Sequence, residues 1–236
     1  FPIPRGFLKK IFIASLIANT LQYGLTYTGL SFIDASAAVL LVQTEVPFGV
    51  IFAYFMLKEK PTTRSLVGIA IAFIGVYLLT GSPNLDGKFV GVSLVIIGSG
   101  IWALGQVLVK PLSKEISPLA LVAWMALFSG PILIALSAIF DGNTINYFKT
   151  ANFNSWLIAI YLGFIMQPIT YGCFYYVIKN NPIYKVLPIV TMGIPLTGLL
   201  AAIFLLGEEP TKELFIGGAV IIIGVILIVF TKPKKN

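Results

Sequence analysis

Apolar residues run along this chain in long blocks separated by short polar punctuation. A helix needs about 20 predominantly apolar residues to cross a bilayer core of roughly 30 Å. Eight stretches have that length: 7–30, 34–57, 62–81, 88–109, 117–140, 155–178, 183–206 and 211–231. They are too long for strands and lack period-two alternation. The separators carry turn chemistry, as in Gly81-Ser82-Pro83-Asn84, Asp141-Gly142-Asn143 and Asn180-Asn181-Pro182. The pattern predicts an all-α, polytopic membrane bundle with eight spans.

Composition agrees and removes other classes. The chain is 58% hydrophobic and 11% charged, with a mean hydropathy of +0.95. Soluble domains carry roughly 25% charged residues, so a water-facing surface cannot be built. The net charge of +7 does not describe a nucleic-acid face, because the basic residues sit in short loops rather than in a stripe. With no histidine and one cysteine, no disulfide framework forms within the chain, and no metal or cofactor is expected. Cys173 lies inside an apolar run and reads as a small packing residue. No Ser/His/Asp constellation speaks for an enzyme. No P-loop occurs, so energy must come from gradients or a separate subunit.

The basic residues also orient the chain. Arg5, Lys9, Lys10, Lys58, Lys60, Arg64, Lys110, Lys114, Lys179, Lys185, Lys232, Lys234 and Lys235 fall on one side, against Lys88, Lys149 and Lys212 on the other. The lysine-rich side is cytoplasmic by the positive-inside rule, which puts both ends of the chain on the cytoplasmic side of a bacterial-type inner membrane.

An internal repeat carries the most information. Residues 55–79 (FMLKEKPTTRSLVGIAIAFIGVYLL) match residues 204–228 (FLLGEEPTKELFIGGAVIIIGVILI) at 11 of 25 positions, including Glu59/Glu208, Pro61/Pro210, Thr62/Thr211, Gly68/Gly217 and Gly75/Gly224. Upstream, with a shift of one residue, Tyr23 matches Tyr171, Tyr27 matches Tyr175 and Pro47 matches Pro195. Spans one to three thus correspond to spans six to eight. An offset of five spans inverts the copies in the membrane, an architecture that places a site near the midplane between repeats. Residues 1–81 then hold the last three spans of a first repeat, residues 88–231 a full five-span second repeat, and residues 232–236 a basic tail. The chain starts at Phe1 without a signal pattern, and the expectation is a ten-span protein whose first two spans precede it.

The segments YGLTYTGLSFIDASAAVLLVQTEVPFGVIFAYFMLKEKPT and GIAIAFIGVYLLTG, then SGIWALGQVLVKPL and ITYGCFYYVIKNNPIYKVLPIVTMGIPLTGLLAAIFLLGEEPT, carry a family resemblance. Over essentially its whole length the chain resembles EamA-type exporters of the drug/metabolite transporter superfamily. The second half is especially similar to the branch exporting amino acids and cysteine derivatives. The resemblance implies a ten-helix bundle with a central cavity and alternating access. It also makes Trp102 and Gln106, which share a face of span four with Ser99, cavity candidates.

Polar residues within spans are the remaining candidates. Asn19, Gln22, Tyr23, Thr26 and Tyr27 form one stripe on span one, and Gln167, Thr170, Tyr171 and Tyr175 repeat it on span six. Such a stripe either lines a cavity for a polar solute or ties helices together. Glu45 stands alone as an acidic residue near the middle of a span, and intramembrane carboxylates are functional candidates. It can bind a substrate amine, carry a coupled proton, or pack protonated against a neighbour. Gln43, two residues away, reaches the same cavity only if the helix is irregular near Pro47. Gln43 and Ser36 match Thr191 and Tyr184 in the other repeat. Pro47, Pro188 and Pro195 are hinge candidates. Gly68/Gly75, Gly217/Gly224 and Gly91/Gly98/Gly105 mark close helix contacts. Thr62 and Thr211 suit N-caps, and the turns around them read as structural. Lys185 snorkels or meets a substrate carboxylate, and Trp156 suits an interfacial anchor.

The leading expectation is a secondary active exporter of amino acids or related small polar metabolites, coupled to a proton or to exchange. A flippase for lipid or other hydrophobic substrates, or a channel, is the alternative on the same bundle. The partners are lipid and a small molecule; substrate identity and oligomeric state are not legible.

Overall fold

The computed structural model describes residues 5–81, 85–140, 142–191 and 193–229. It is 87% helical, with no strand among the described residues. Ala35–Leu57, Phe89–Glu115, Pro118–Phe140 and Phe153–Asn180 are each long and apolar enough to cross a membrane. Leu8–Ser15, Leu16–Leu21 and Gln22–Leu30 follow one another as span 1, with the middle piece wound as a π-helix. Span 6 has the same construction, Tyr161–Met166 being its π-helical stretch. Spans 3 and 8 are Thr63–Thr80 and Lys212–Val229, and span 7 comprises Ile183–Thr191 and Gly193–Leu206.

Two differences from expectation concern boundaries. Span 4 continues past Lys110 and through Pro111 to Glu115, with Lys110, Leu112 and Ser113 buried. A short helix, Thr144–Thr150, occupies the junction before span 6, and its Phe148 ring lies 5.6 Å from that of Trp156.

The chain folds into two compact units. The first joins Phe1–Thr20 to Leu108–Asn180. Within it the start of span 1 packs on span 5: Phe12 meets Phe128 edge-on at 5.5 Å, and the Ser15 hydroxyl donates to the Met125 carbonyl at 2.9 Å. Span 6 packs on span 5 as well, with Gly172 leaving room for Leu119. Cys173, on the same helix, is exposed. The expectation of a packing role for it is therefore corrected: it lies on the face of span 6 away from these neighbours.

The second unit joins Leu21–Val107 to Asn181–Asn236. Its tightest seam is between spans 3 and 8, which run antiparallel. A Cβ on Gly68 would lie 2.6 Å from the Gly224 carbonyl oxygen, and one on Gly75 would lie 2.6 Å from the Ile221 nitrogen and 2.9 Å from the Gly217 oxygen. Backbone meets backbone here because no side chain intervenes. Spans 2 and 7 also cross antiparallel: Gly49 accommodates Leu187 at one end, and Gly198 accommodates Val39 at the other. A core of Leu40, Leu41, Val46, Val50, Leu79, Val95, Leu214 and Ile221 fills the space among these helices.

The two repeated junctions close in the same way. After span 2, Lys58 adopts a left-handed φ of 58° and Glu59 N–H returns to the Ala53 carbonyl at 3.2 Å. After span 7, Gly207 takes φ 69° and Glu208 N–H returns to the Ala202 carbonyl at 3.1 Å. Glycine adopts that conformation freely, whereas Lys58 must be held in it. Thr62 and Thr211 then cap the next helices by accepting from Ser65 N–H and Leu214 N–H, both at 3.3 Å.

Candidate functional site

Span 2 is not one continuous helix. Its helical pieces are Ala35–Val42 and Glu45–Leu57, with Gln43 and Thr44 forming a turn between them. Pro47 supplies the reason, since it has no N–H to return to the Gln43 carbonyl. That carbonyl instead accepts from Val46 at 3.1 Å, while Gln43 and Thr44 N–H reach back only three residues, to Leu40 and Leu41. The Thr44 hydroxyl also donates to the Leu41 carbonyl, at 2.8 Å. The winding tightens over this stretch, so Gln43 and Glu45 depart from ideal α-helical angular spacing. Pro47 itself lies in the first turn of the second piece, where a missing donor costs little. Buried Pro195 holds the matching place in Gly193–Leu206.

The break buries three consecutive polar side chains: Gln43, Thr44 and Glu45 are 1%, 1% and 5% exposed. Thr44 is satisfied within its own turn. Gln43 Nε2 and Glu45 Oε1 are buried without a hydrogen-bond partner. One turn beyond Glu45, a Cβ on Gly49 would meet Leu187 and lie 3.9 Å from Ala103 Cβ, and one on Gly100 would lie 3.4 Å from the Phe48 ring; Asp34 and Lys88 pair at the starts of the same two spans. Spans 2 and 4 therefore run side by side in the same direction. The face of span 4 that meets span 2 carries Ser99, Ala103 and Gln106. Ser99 donates to the Val95 carbonyl at 2.8 Å, whereas Gln106 is fully buried with neither amide atom hydrogen-bonded. Glu45 and Gln106 thus bracket the Gly49–Ala103 contact, about 10 Å apart along the helix axes at 1.5 Å per residue. Trp102 is half-buried beside this face.

Also in this unit, Gln22 Nε2 donates to Thr26 Oγ1 at 3.2 Å, and Thr26 packs against Gly98 of span 4. Tyr23 and Tyr27 stack obliquely with ring centroids 5.7 Å apart, Tyr27 being exposed. Lys185 extends over its neighbour Tyr184, 6.0 Å from the ring. The side chains of Pro188 and Thr191 lie outside the described residues.

The remaining candidates belong to the first unit. Asn19 sits within the π-helical stretch and its Nδ2 donates to Ser129 Oγ at 3.3 Å. Gln167 follows the π-helical stretch of span 6 and is half-buried. The Tyr171 and Tyr175 rings are 5.8 Å apart. Tyr175 is 2% exposed and its hydroxyl donates to Met125 Sδ at 3.7 Å. Asn19 and Tyr175 are thus bonded to span 5. Ser129 and Met125, which receive these bonds, carried no mark in the sequence; nor did the two π-helical stretches. A groove of about 580 Å³ lies between Lys10 and Ile13 on one side and Leu108 and Glu115 on the other, at the end of span 4.

The relatives bear on what this arrangement serves. The EamA-like transporter family matches residues 1–81 and 89–230. A "probable amino-acid metabolite efflux pump" of Escherichia coli (strain K12) is 28% identical over 236 residues, covering 96% of this chain and 78% of that protein. A protein of the same description from Salmonella typhimurium is 28% identical over 221 residues, covering 89% and 72%. An "uncharacterized transporter" of Clostridium kluyveri is 27% identical over 235 residues, covering 97% and 73%. A solved crystal structure, 16% identical, shares the fold with a TM-score of 0.60, over 96% of this chain and 78% of that one. The chain belongs to the EamA-like transporter family, and is an integral membrane transporter rather than an enzyme.

Proposed function

We propose that this transporter exports amino acids or related small polar metabolites by secondary active transport with alternating access. One observation carries the reading: Gln43, Glu45 and Gln106 bury unpartnered polar atoms in spans 2 and 4, Glu45 at the centre of its span. A buried polar group left unsatisfied costs about 1–3 kcal/mol, so these atoms are best explained by a partner that comes and goes. A zwitterion suits them: its ammonium pairs with the Glu45 carboxylate, and a second polar group lies toward Gln106. The descriptions of the Escherichia coli and Salmonella relatives favour the same substrate class.

The inverted repeat supplies the motion. The Gly68–Gly224 and Gly75–Gly217 contacts exchange under the repeat, and so, within a residue, do Val39–Gly198 and Gly49–Leu187. Spans 2, 3, 7 and 8 thus have two nearly equivalent arrangements, which is what alternating access exchanges. Glu45 is the coupling residue in this reading and Pro47 and Pro195 are its hinges. The lysine-rich face is cytoplasmic in an inner membrane, with both ends of the chain on that side.

Uptake of labelled amino acids into proteoliposomes tests the reading, with and without a pH gradient, for wild type and Glu45→Gln. Saturable uptake that the variant loses only under the gradient places Glu45 on the proton path. Loss under exchange conditions as well places it in binding or folding. Failure of every amino acid tested would sink the substrate assignment.

A further inference from the structure

The first turn of span 2 is capped in an unusual way. Asp34 occupies the N-cap position with extended backbone, φ −69° and ψ 149°, and an aspartate there ordinarily accepts from the helix's own free N–H groups. It makes no such bond. Its carboxylate instead pairs with Lys88, at the start of span 4, at 3.2 Å. The cap comes from the far end of the chain. Glu208 accepts from Ala35 N–H through Oε1 at 2.8 Å and from Ser36 N–H through Oε2 at 2.9 Å. Local capping would hold the helix equally well and is available. Exchanging it for a carboxylate from the 207–211 turn ties the start of span 2 to the junction of spans 7 and 8, and Asp34 ties it to the start of span 4.

We propose that Glu208 is a gating residue: its carboxylate clasps the first turn of span 2 to the span 7–8 junction, and the transporter opens on that face only when the clasp releases. The geometry suits a contact that must break. Ala35–Val42 crosses Gly193–Leu206 just behind it, where Val39 packs on Gly198, so parting these two helices necessarily pulls Glu208 from Ala35 and Ser36. Glu208 is half-buried, and Asp34 and Lys88 are each 35% exposed. Water can therefore take over every bond as it is lost, which a fully buried carboxylate would not permit. The repeat supplies a mate on the opposite face. By the repeat, Glu59 is equivalent to Glu208 and Tyr184 to Ser36. The proposal rests on alternating access but not on any substrate.

The test needs only thiol chemistry. In a Cys173→Ser background, Gln43→Cys reports opening, since position 43 is buried here, and Lys88→Cys marks the face that bears Glu208. Each is labelled with a membrane-impermeant maleimide in vesicles of both orientations. Adding Glu208→Ala should raise the labelling rate at position 43 from the Glu208 face by about fivefold or more and lower it from the other face. Glu208→Gln should fall between, and Glu59→Ala should show the opposite preference. Equal acceleration from both faces would mean that Glu208 only stabilises packing, and an unchanged rate that it does not hold the face; either result overturns the proposal. Position 43 labelling from a single face in the unsubstituted clasp would instead strike at alternating access, with the effect of Glu208→Ala still readable on that face.

Discussion

The span 3–span 8 seam predicts that Gly224→Ala is costly although it adds only one methyl group. The new Cβ would lie 2.5 Å from the Ala72 nitrogen, 2.6 Å from the Gly68 carbonyl oxygen and 2.9 Å from the Ala72 Cα. All three are backbone atoms, so no side chain can rotate away. Restoring ordinary contact near 3.5 Å requires the helices to part by about 1 Å, and a gap of that size forfeits a quarter to a half of each dispersion contact. Overpacking typically costs about 1–3 kcal/mol, and a rigid backbone neighbour puts this site at the upper end. Alanine returns about 1 kcal/mol of helix propensity. The net loss is about 2 kcal/mol, or roughly 30-fold in the folded-to-unfolded ratio. For a chain of this size that is a fall of about 4–8 °C in midpoint, measured by thermal unfolding of the purified protein in detergent. Gly130→Ala is the internal control, because its Cβ would meet nothing within 4 Å and only the propensity gain remains. A Gly224→Ala protein as stable as wild type would refute the reasoning, since the seam would then tolerate separation.

Two further perturbations separate function from packing. Gln106→Leu removes two buried amide atoms that have no partner, so it should raise the unfolding midpoint while abolishing uptake; a destabilised protein would show that the amide is satisfied structurally. At Glu208, burial pushes the carboxyl pKa up, but bonds from the Ser36 side chain and from the Ser36 and Ala35 N–H groups, with Lys88 nearby, outweigh it and leave the value below the ordinary one. A depressed carboxyl contributes stability at neutral pH that is lost as pH falls through its folded-state value. The stability difference between wild type and Glu208→Gln should therefore persist at pH 6 and close below about pH 4; a difference independent of pH would remove charge from the explanation.

Much of this architecture was legible because membrane spans write themselves in length. The eight apolar runs match the helices to within a few residues at most ends. The repeated Glu-x-Pro-Thr junctions do reappear as paired left-handed turns and threonine caps. The irregularity near Pro47, which the sequence offered only as a condition for Gln43 and Glu45 to share a cavity, traces to the missing N–H. What sequence could not assign was direction around each helix. Around Cys173 the stripe of Gln167, Thr170, Tyr171 and Tyr175 marks one face, but the apolar remainder has the same composition whether lipid or another helix covers it, so an exposed thiol reads like a packed one. The π-helical stretches were silent for a related reason. Each changes winding rather than composition, and neither LIANTL nor YLGFIM contains a proline to announce it.

The clasp shows a third kind of silence, and it explains why the Glu-Glu-Pro-Thr junction looked merely structural. A helix cap is normally read locally, from the residue before the first turn, and Asp34 is the residue that rule selects. Here Asp34 is present but engaged with Lys88, and the cap arrives from a position 173 residues away. Sequence proximity identifies who can cap a helix cheaply; it does not identify who does. In a protein that must open and close, that difference has a purpose. A local cap stays with its helix through any rigid motion, whereas a cap from the turn between two other helices can be made in one arrangement and broken in another. Under the clasp proposal, the long-range partner at Ala35 and Ser36 is the feature that would give the two arrangements different energies, and a site assembled only from polar residues inside the spans would have left it out.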